Sequence, residues 1–297
     1  MTVIFSTGYT PYTPDSGFLL METADRLLLE TADKILLNFN TVADLPSTHA
    51  RIAHSGNWHS GGVIDASSTA VGYFAAAPDN TLTYERWKPN TATTQTWAID
   101  FGASVACDYC CIGAHTLGTN GWTLQVQYLE DTVWIDLIPD TAITDDSDIF
   151  VIFPLQAFGS WRIRITGGTA PEIGVIKFGR ALQMERPIFG GHTPIMMARQ
   201  TVMKMNESES GEYLGRSKFR TYLQSSFAWR NLTSAWIREN WPLLQRSIET
   251  EPFFIAWRPE SYSEAAFGRA MASPAPTNSG QRDLMDVELS MRARGYD

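Results

Sequence analysis

The sequence predicts a mainly β fold in two regions, with a single amphipathic helix in the second region. Short apolar runs alternate with turn residues between positions 44 and 182, which is typical of successive strands. Beyond position 231 one stretch spaces its apolar residues by four, three and four, the period of a helix face. The chain also contains 10 Trp, 10 Tyr and 15 Phe, and such aromatic content favours β structure and interfaces.

The first region contains a series of candidate strands and no long helical pattern between them. These strands are TTQTWAIDFG, DYCCIGAHTL, WTLQVQYLE, TVWIDLI, DIFVIFP and SWRIRITGG. Strands that follow one another without intervening helices favour an antiparallel sandwich or jelly roll. We therefore predict one β domain over residues 44–182.

The second region begins with an extended apolar arm. The stretch MERPIFGGHTPIMMARQTVMKM combines two prolines, a Gly-Gly corner and five Met. Methionine adapts to irregular surfaces, and an extended apolar arm becomes stable when another surface covers it. We therefore predict an assembly interface with a neighbouring subunit or partner protein, formed by Ile188, Phe189, Ile195 and Met196.

The rest of the second region predicts a strand, a helix and two further strands. The helix covers residues 231–249, is capped by Thr233 or Ser234, and contains Pro242, which kinks it or marks its first turn. The strands are SKFRTYLQSSFAWRNL, EPFFIAWRPE and DLMDVELSMRARGYD. This set lacks a complete sheet, so we expect it to pair with strands from the N-terminal MTVIFST and the repeats that follow it. Residues 1–43 and 183–297 then form one discontinuous domain, into which residues 44–182 are inserted.

An eight-residue phrase is repeated near the start of the chain, in LLMETADRLLLETADKILLN at residues 19–38. A period of eight drifts by about 80° per repeat around a helix, which favours short strands in a meander. The alternative is an amphipathic helix, because Leu, Ala, Glu and Lys all have high helix propensity.

The charge and hydropathy patterns exclude two classes of partner. The net charge is −9 without a cluster of Lys and Arg, whereas a nucleic acid partner requires clustered cations. The sequence has neither the roughly 18 apolar residues that a membrane span needs nor a signal peptide pattern. We therefore expect synthesis in the cytoplasm and no membrane anchor.

Cysteine and histidine residues are the candidates for a metal site that their spacing suggests. Cys107, Cys110 and Cys111 have C-x-x-C spacing near His115, but a strand would point them to opposite faces, so we predict small buried side chains instead. Histidines recur every five residues at positions 49, 54 and 59, which matches no common metal site and predicts solvated loop residues. We expect no metal and no cofactor.

The sequence contains no motif that predicts catalysis. G-x-S-x-G, P-loop, G-x-G-x-x-G and H-E-x-x-H patterns are all missing. Asp145, Asp146 and Asp148 could pair as glycosidase carboxylates, but a carboxylate run in a loop is usually a solvated turn. We therefore expect a protein that is not an enzyme.

Several segments of the first region carry a family resemblance. AAAPDNTLTYERWKP, TWAIDFG, WRIRITGG and IGVIKFG, in this order, resemble the discoidin, or coagulation factor type C, group of galactose-binding-like β-sandwiches. This resemblance implies ligand binding, often of sugars, by loops at one end of the sandwich. Aromatic rings that could stack on a pyranose make Trp58, His59, Tyr84 and Trp122 the candidate glycan contacts. The family's Asp-Gly pair is Asp79-Asn80 here. Some members of the family bind calcium at this loop, and the Asn80 departure leaves undecided whether this sequence does.

The flanking segments carry a second resemblance. Residues 1–43 and 183–297 resemble the tail-tube-derived folds of phage distal tail and minor tail proteins, and the Leu repeats resemble those of tail and fibre proteins. The two resemblances together imply a tail-tube-like β-sandwich with one flanking helix that carries an inserted galactose-binding-like jelly-roll β-sandwich.

The second resemblance also implies a function. It implies a structural component of a bacteriophage tail tip or baseplate that self-associates into a ring of three or six copies. Its partners would be the tube, hub and tape measure proteins and a host surface polysaccharide. Its location would be the virion, after assembly in the host cytoplasm. The alternative is a stand-alone carbohydrate-binding protein.

Overall fold

The computed structural model describes residues 2–6, 48–91, 93–280 and 283–295. The repeat at residues 19–38 lies outside the described residues, as does most of the predicted segment 1–43. Within the described part of the chain, the strands form two sheets of eight strands each, accompanied by one α-helix. The prediction of a mainly β protein with one helix is therefore confirmed.

The first sheet is built mostly from the central part of the sequence. Its strands are β1 (Thr2–Phe5), β3 (Val63–Ala66), β4 (Gln95–Gly113), β5 (Thr123–Glu130), β6 (Val133–Asp136), β7 (Thr141–Ala142), β8 (Ile149–Thr166) and β9 (Val175–Gly179).

The second sheet is built mostly from the C-terminal part. Its strands are β2 (Arg51–Ala53), β10 (Leu182–Gln183), β11 (Arg199–Glu207), β12 (Tyr213–Thr233), β13 (Phe253–Ala256), β14 (Ala265–Ala270), β15 (Thr277–Asn278) and β16 (Leu284–Arg294). The helix α1 (Ser234–Thr250) joins β12 to β13.

The first sheet folds over on itself into two layers. Strands β4 and β8, of 19 and 18 residues, pair along both halves of their length, and their register shifts between Asp100 and Tyr109. One layer contains the start of β4, the end of β8, β3, β5 and β6; the other contains the end of β4, the start of β8, β1 and β9. Apolar side chains from both layers, among them Trp97, Trp161 and Ile112, form the core between them.

The period-two alternation of β4 places a second apolar surface on the back of this sandwich. Cys110 and Ile112 point into the core between the layers, whereas Tyr109 and Cys111 pack with Phe254 and side chains of β14. A strand that is buried on both faces has a nearly continuous apolar sequence, as the VACDYCCIG segment does. The second layer of the sandwich thus lies against the second sheet.

The helix α1 covers the opposite face of the second sheet. Ile237, Trp241 and Leu244 of α1 belong to one buried cluster with Phe253 of β13. The backbone N–H of Trp236 donates to Thr233 Oγ1 at 3.3 Å, and this side chain caps the helix. The predicted helix and its Thr233 cap are confirmed, with Pro242 inside the helix.

Three short strands depart from the predicted organisation. β1 was expected in the second sheet, but it pairs in parallel with β8 of the first sheet, Thr2 opposite Ile149. β2 lies within residues 44–182 and β10 crosses the end of this range, yet the two strands pair with each other, and β2 also pairs with β13 of the second sheet. Each pairing is long-range, and no local pattern specifies it. Independent folding of residues 44–182 stays a prediction.

Candidate functional site

The structure does not bring the four predicted glycan contacts together. Trp122 is 0% exposed and belongs to the core of the sandwich. Its indole N–H donates to the carbonyl of Thr169 at 2.5 Å, and Gly167 lies directly against the ring. The prediction that Trp122 contacts a ligand is therefore wrong, because no face of its ring is open.

Trp58 and His59 are both engaged within the protein. Trp58 is half-buried, and the ammonium of Lys177 lies 5.2 Å from the centre of its ring. His59 Nε2 lies 3.0 Å from the carbonyl oxygen of Ala106, and the His59 ring meets Phe101 edge-on at 5.5 Å. These contacts tie the two rings to β9 and β4.

Tyr84 is the one member of the predicted set that is largely exposed. It lies in the long segment between β3 and β4, and its side chain is 76% exposed. Phe74, in the same segment, is 71% exposed. Both rings are therefore accessible to a ligand.

A charged cluster takes three of its four members from the same segment as these two rings and is here called the loop-end cluster: Tyr73, Arg86, Lys88 and, from the segment between β8 and β9, Glu172. The Glu172 carboxylate accepts hydrogen bonds from Tyr73 Oη at 2.8 Å, Arg86 Nη1 at 2.9 Å and Lys88 Nζ at 3.2 Å. Arg86 and Lys88 flank the buried Trp87, whose backbone bridges to Ile173 next to Glu172. The alternation around Trp87 therefore directs both cations toward Glu172.

The cluster remains charged at neutral pH. Burial alone would raise the pKa of Glu172, but the hydrogen bonds from Tyr73, Lys88 and Arg86 outweigh it and lower that pKa. The bond to Glu172 is also the main cause of the raised pKa of Lys88. Arg86 Nε also donates a hydrogen bond to the carbonyl of Thr83. A guanidinium has five N–H donors, so Arg86 retains further donors for a ligand. The cluster can orient hydroxyl groups.

Sequence reasoning missed the loop-end cluster because Tyr73 and Glu172 are 99 residues apart. One local signal was present. The alternation of Arg86, buried Trp87 and Lys88 is that of a strand with one charged face, and such a face needs an opposing carboxylate or a ligand.

The predicted assembly residues divide between the inside and the outside of the chain. Ile195 is buried in the core of the second sheet and Ile188 packs against it, so the prediction is wrong for Ile195. Phe189 and Met196 are exposed, as is Met197 beside them. Of the four predicted residues, Ile188 and Ile195 thus find apolar partners in their own sheet, whereas Phe189 and Met196 do not.

A longer exposed apolar element begins within the arm and is here called the ribbon: β11 together with residues 213–221 of β12. These residues of β12 pair with β11, whereas pairing of β12 with β16 begins at Tyr222. The ribbon thus extends as two strands beyond the sheet. Its exposed apolar and aromatic side chains are Val202, Met203, Met205, Tyr213, Leu214 and Phe219.

The predictions for the other candidate residues had mixed outcomes. The three cysteines are free and buried, as expected. His54, predicted as a solvated loop residue, is buried. Asp148 was also expected in a solvated turn, but it is buried, and its carboxylate accepts the backbone N–H of Phe267 at 2.7 Å. Asp146 caps the turn at Thr119, whose N–H lies 2.8 Å away.

The described residues contain neither a candidate metal cluster nor a helix that could span a membrane. No group of three or more His, Cys, Asp or Glu side chains in this part of the chain could hold a metal ion. Across the same residues, α1 included, no helix combines the length and the apolarity that a membrane crossing requires.

No protein-family profile and no curated protein matches the chain significantly. Among solved structures, similarity extends to carbohydrate-binding modules, which are β-sandwiches. One is chitosan-binding module 1 of a chitosanase/glucanase from Paenibacillus sp. IK-5, with 17% identity, a TM-score of 0.37, and coverage of 43% of this chain and 98% of the module. Another is a Clostridium perfringens module solved with GalNAc-beta-1,3-galactose, with 13% identity, a TM-score of 0.36, and coverage of 39% and 94%.

Proposed function

We propose that this protein binds carbohydrate through the loop end of its first sheet. The observation that carries the proposal is that the exposed rings of Phe74 and Tyr84 lie on the segment that also supplies three members of the loop-end cluster. An aromatic face stacks on the apolar face of a pyranose, while fixed charged groups orient its hydroxyls. The resemblance of residues 44–182 to discoidin-type sandwiches supports the same function.

Retention on an affinity gel that contains purified bacterial surface polysaccharide tests this proposal. Tyr84→Ala should weaken retention by about 1 to 3 kcal/mol, the range of an aromatic anchor. The matched control is Tyr213→Ala, which removes another largely exposed tyrosine, from the ribbon, and should leave retention unchanged. Failure of the intact protein to bind any polysaccharide of a broad panel, or an equal loss in both variants, would contradict carbohydrate binding at this site.

A second candidate function is favoured by the ribbon. We infer that the protein is a structural component of a bacteriophage tail tip or baseplate and self-associates into a ring. A two-stranded ribbon without a further strand is at best marginally stable in water, and the ribbon also exposes six large apolar or aromatic side chains. β11 lies at the edge of the second sheet, where a strand of another chain could pair with it. The tail-tube resemblance supports a neighbouring copy as that chain.

Sedimentation velocity at micromolar protein concentration tests the assembly. The Leu214→Ser and Phe219→Ser double variant should shift the protein from a closed oligomer to a monomer. The matched control is Val63→Ser with Val71→Ser, which removes two exposed apolar side chains from the first region. A wild-type protein that is monomeric, and that stays so when mixed with tail tube, hub and tape measure proteins, would refute the structural role.

Both functions are binding functions, and we propose no catalytic activity. Within this proposal the second sheet attaches the protein to its neighbours in the virion. The first sheet carries the surface that contacts a host polysaccharide.

A further inference from the structure

The layer of the sandwich that contains β3, β5 and β6 carries a second polar surface on its outer face, separate from the loop-end cluster. Trp161, Ile163 and Ile165 of β8 point into the core, so the alternation of the strand directs Arg162 and Arg164 outward. The register places Gln127 of β5 opposite Arg162, and Gln125 opposite Arg164. Asp136 of β6 lies opposite Gln127 on the other side.

Hydrogen bonds hold these side chains in one arrangement. Arg162 Nε donates to Gln127 Oε1 at 2.5 Å, and Gln127 Nε2 donates to Asp136 Oδ1. Arg164 Nη1 donates to Gln125 Oε1 at 2.7 Å. Gln125 and Gln127 are only 6% and 4% exposed. The surface is therefore ordered in the absence of a ligand, which lowers the entropic cost of binding.

An aromatic ring borders the two arginines. The Arg162 guanidinium carbon lies 4.1 Å from the centre of the Trp134 ring, close enough for a cation–π interaction. Threonine hydroxyls continue the surface beyond Arg164, since Thr94 Oγ1 and Thr166 Oγ1 lie 3.1 Å apart. The outer face thus combines guanidinium, hydroxyl and indole groups, with the guanidinium groups held by the two glutamines.

The charge of this surface points to an anionic ligand. Within the described residues neither Arg162 nor Arg164 forms an ion pair closer than 4.0 Å, and Asp136 directs its carboxylate to Gln127 instead. Burial lowers the pKa of Arg162 and the neighbouring Arg164 lowers it further, while the nearby Asp136 carboxylate raises it. Two guanidinium groups beside a single carboxylate, with no direct ion pair to it, leave an excess of positive charge that is complementary to carboxylates brought by a ligand.

We propose that the outer face binds an acidic oligosaccharide, with its uronate carboxylates on Arg162 and Arg164 and a sugar ring beside Trp134. Each guanidinium offers a planar fork that matches a carboxylate, and each uses one N–H on a glutamine. Two cations are too few for a nucleic acid backbone in an acidic protein. This site shares no residue with the loop-end cluster, so either can fail without the other.

Titration calorimetry on the full chain tests the proposal. The probes are an oligoglucuronate, in which every sugar carries a carboxylate, and the same oligosaccharide after carboxyl reduction. The intact protein should bind the acidic form at least tenfold more tightly than the reduced form, and added salt should weaken that binding. Equal binding of both forms, or no binding of the acidic form, would overturn the proposal.

Variants locate the binding. Arg162→Gln with Arg164→Gln should weaken binding of the oligoglucuronate at least tenfold, whereas Arg238→Gln with Arg246→Gln on α1 changes the net charge equally and should leave it intact. Tyr84→Ala should also leave it intact. If the double variant does not fold, Arg164→Lys is the alternative. It keeps the positive charge but loses the planar pair of N–H donors, and it should bind the oligoglucuronate several-fold more weakly. Equal losses in the α1 control, or equally tight binding of poly-glutamate, would refute an acidic sugar site on this face.

Discussion

The ammonium of Lys177 lies 3.2 Å from a carboxylate oxygen of Asp79 and also donates to the Asp79 backbone carbonyl. This buried pair joins β9 to the segment that carries the loop-end cluster. Lys177 supplies positive charge at the Asp79 loop. The discoidin resemblance did not decide whether this loop binds calcium. The chain itself therefore neutralises Asp79.

The Lys177→Met substitution should destabilise the protein by about 2 to 4 kcal/mol, since it leaves the partly buried Asp79 carboxylate without its cation. Urea unfolding followed by tryptophan fluorescence measures the change. A Lys177→Met and Asp79→Leu double variant should recover part of the loss. An unaltered unfolding midpoint in the single variant would mean that the pair contributes nothing to stability.

Stability should fall as the pH is lowered from 6.5 toward 4. Burial lowers the pKa of His54 and of His115 from 6.5 to about 4. In each ring Nδ1 accepts a backbone N–H, from Gly56 at 3.1 Å and Leu117 at 3.2 Å, so the folded state holds the neutral form. The unfolded chain binds these protons first, and each histidine therefore costs up to about 3 kcal/mol near pH 4.

Unfolding midpoints at pH 7 and pH 5, compared between wild type and His54→Gln, test this pH dependence. The variant should be less stable at pH 7 but should lose less stability between the two values. Parallel losses in both proteins would exclude His54 as a cause.

Trp122→Ala should destabilise the protein by about 3 to 5 kcal/mol, because it removes a fully buried indole from the core of the sandwich. Trp122→Phe keeps most of the apolar volume and loses the hydrogen bond to Thr169, so its cost should be smaller. Thermal unfolding measures both. If Trp122→Ala unfolds like wild type and loses only carbohydrate retention, the ring serves a ligand rather than the core.

The three cysteines should resist alkylation in the native protein. Burial raises the pKa of Cys107, Cys110 and Cys111, and the thiolate is the reactive form. Mass spectrometry after iodoacetamide treatment should find no modification at pH 8 and three modified cysteines in guanidinium chloride. Rapid native labelling of Cys110 would show that the sandwich core opens.

Local patterns in the sequence predicted those elements that are recognisable from residues close together in the chain. The α1 helix followed from the spacing of Ile237, Trp241 and Leu244, and β13 followed from a continuous apolar run. Trp122 was misassigned because Gly121 and Asn120 give it the appearance of a loop residue, although its ring packs under Gly167, 45 positions later. The partners of β1 and the loop-end cluster were beyond prediction for the same reason, since their contacts join distant segments.

Strand β8 has mechanical consequences through its continuity. Its first residues lie in the layer that packs on the second sheet, and its last residues carry Arg162 and Arg164 on the outer face. A load on a molecule held at the outer face would pass along the covalent backbone of one strand and then through the apolar contacts between the two sheets.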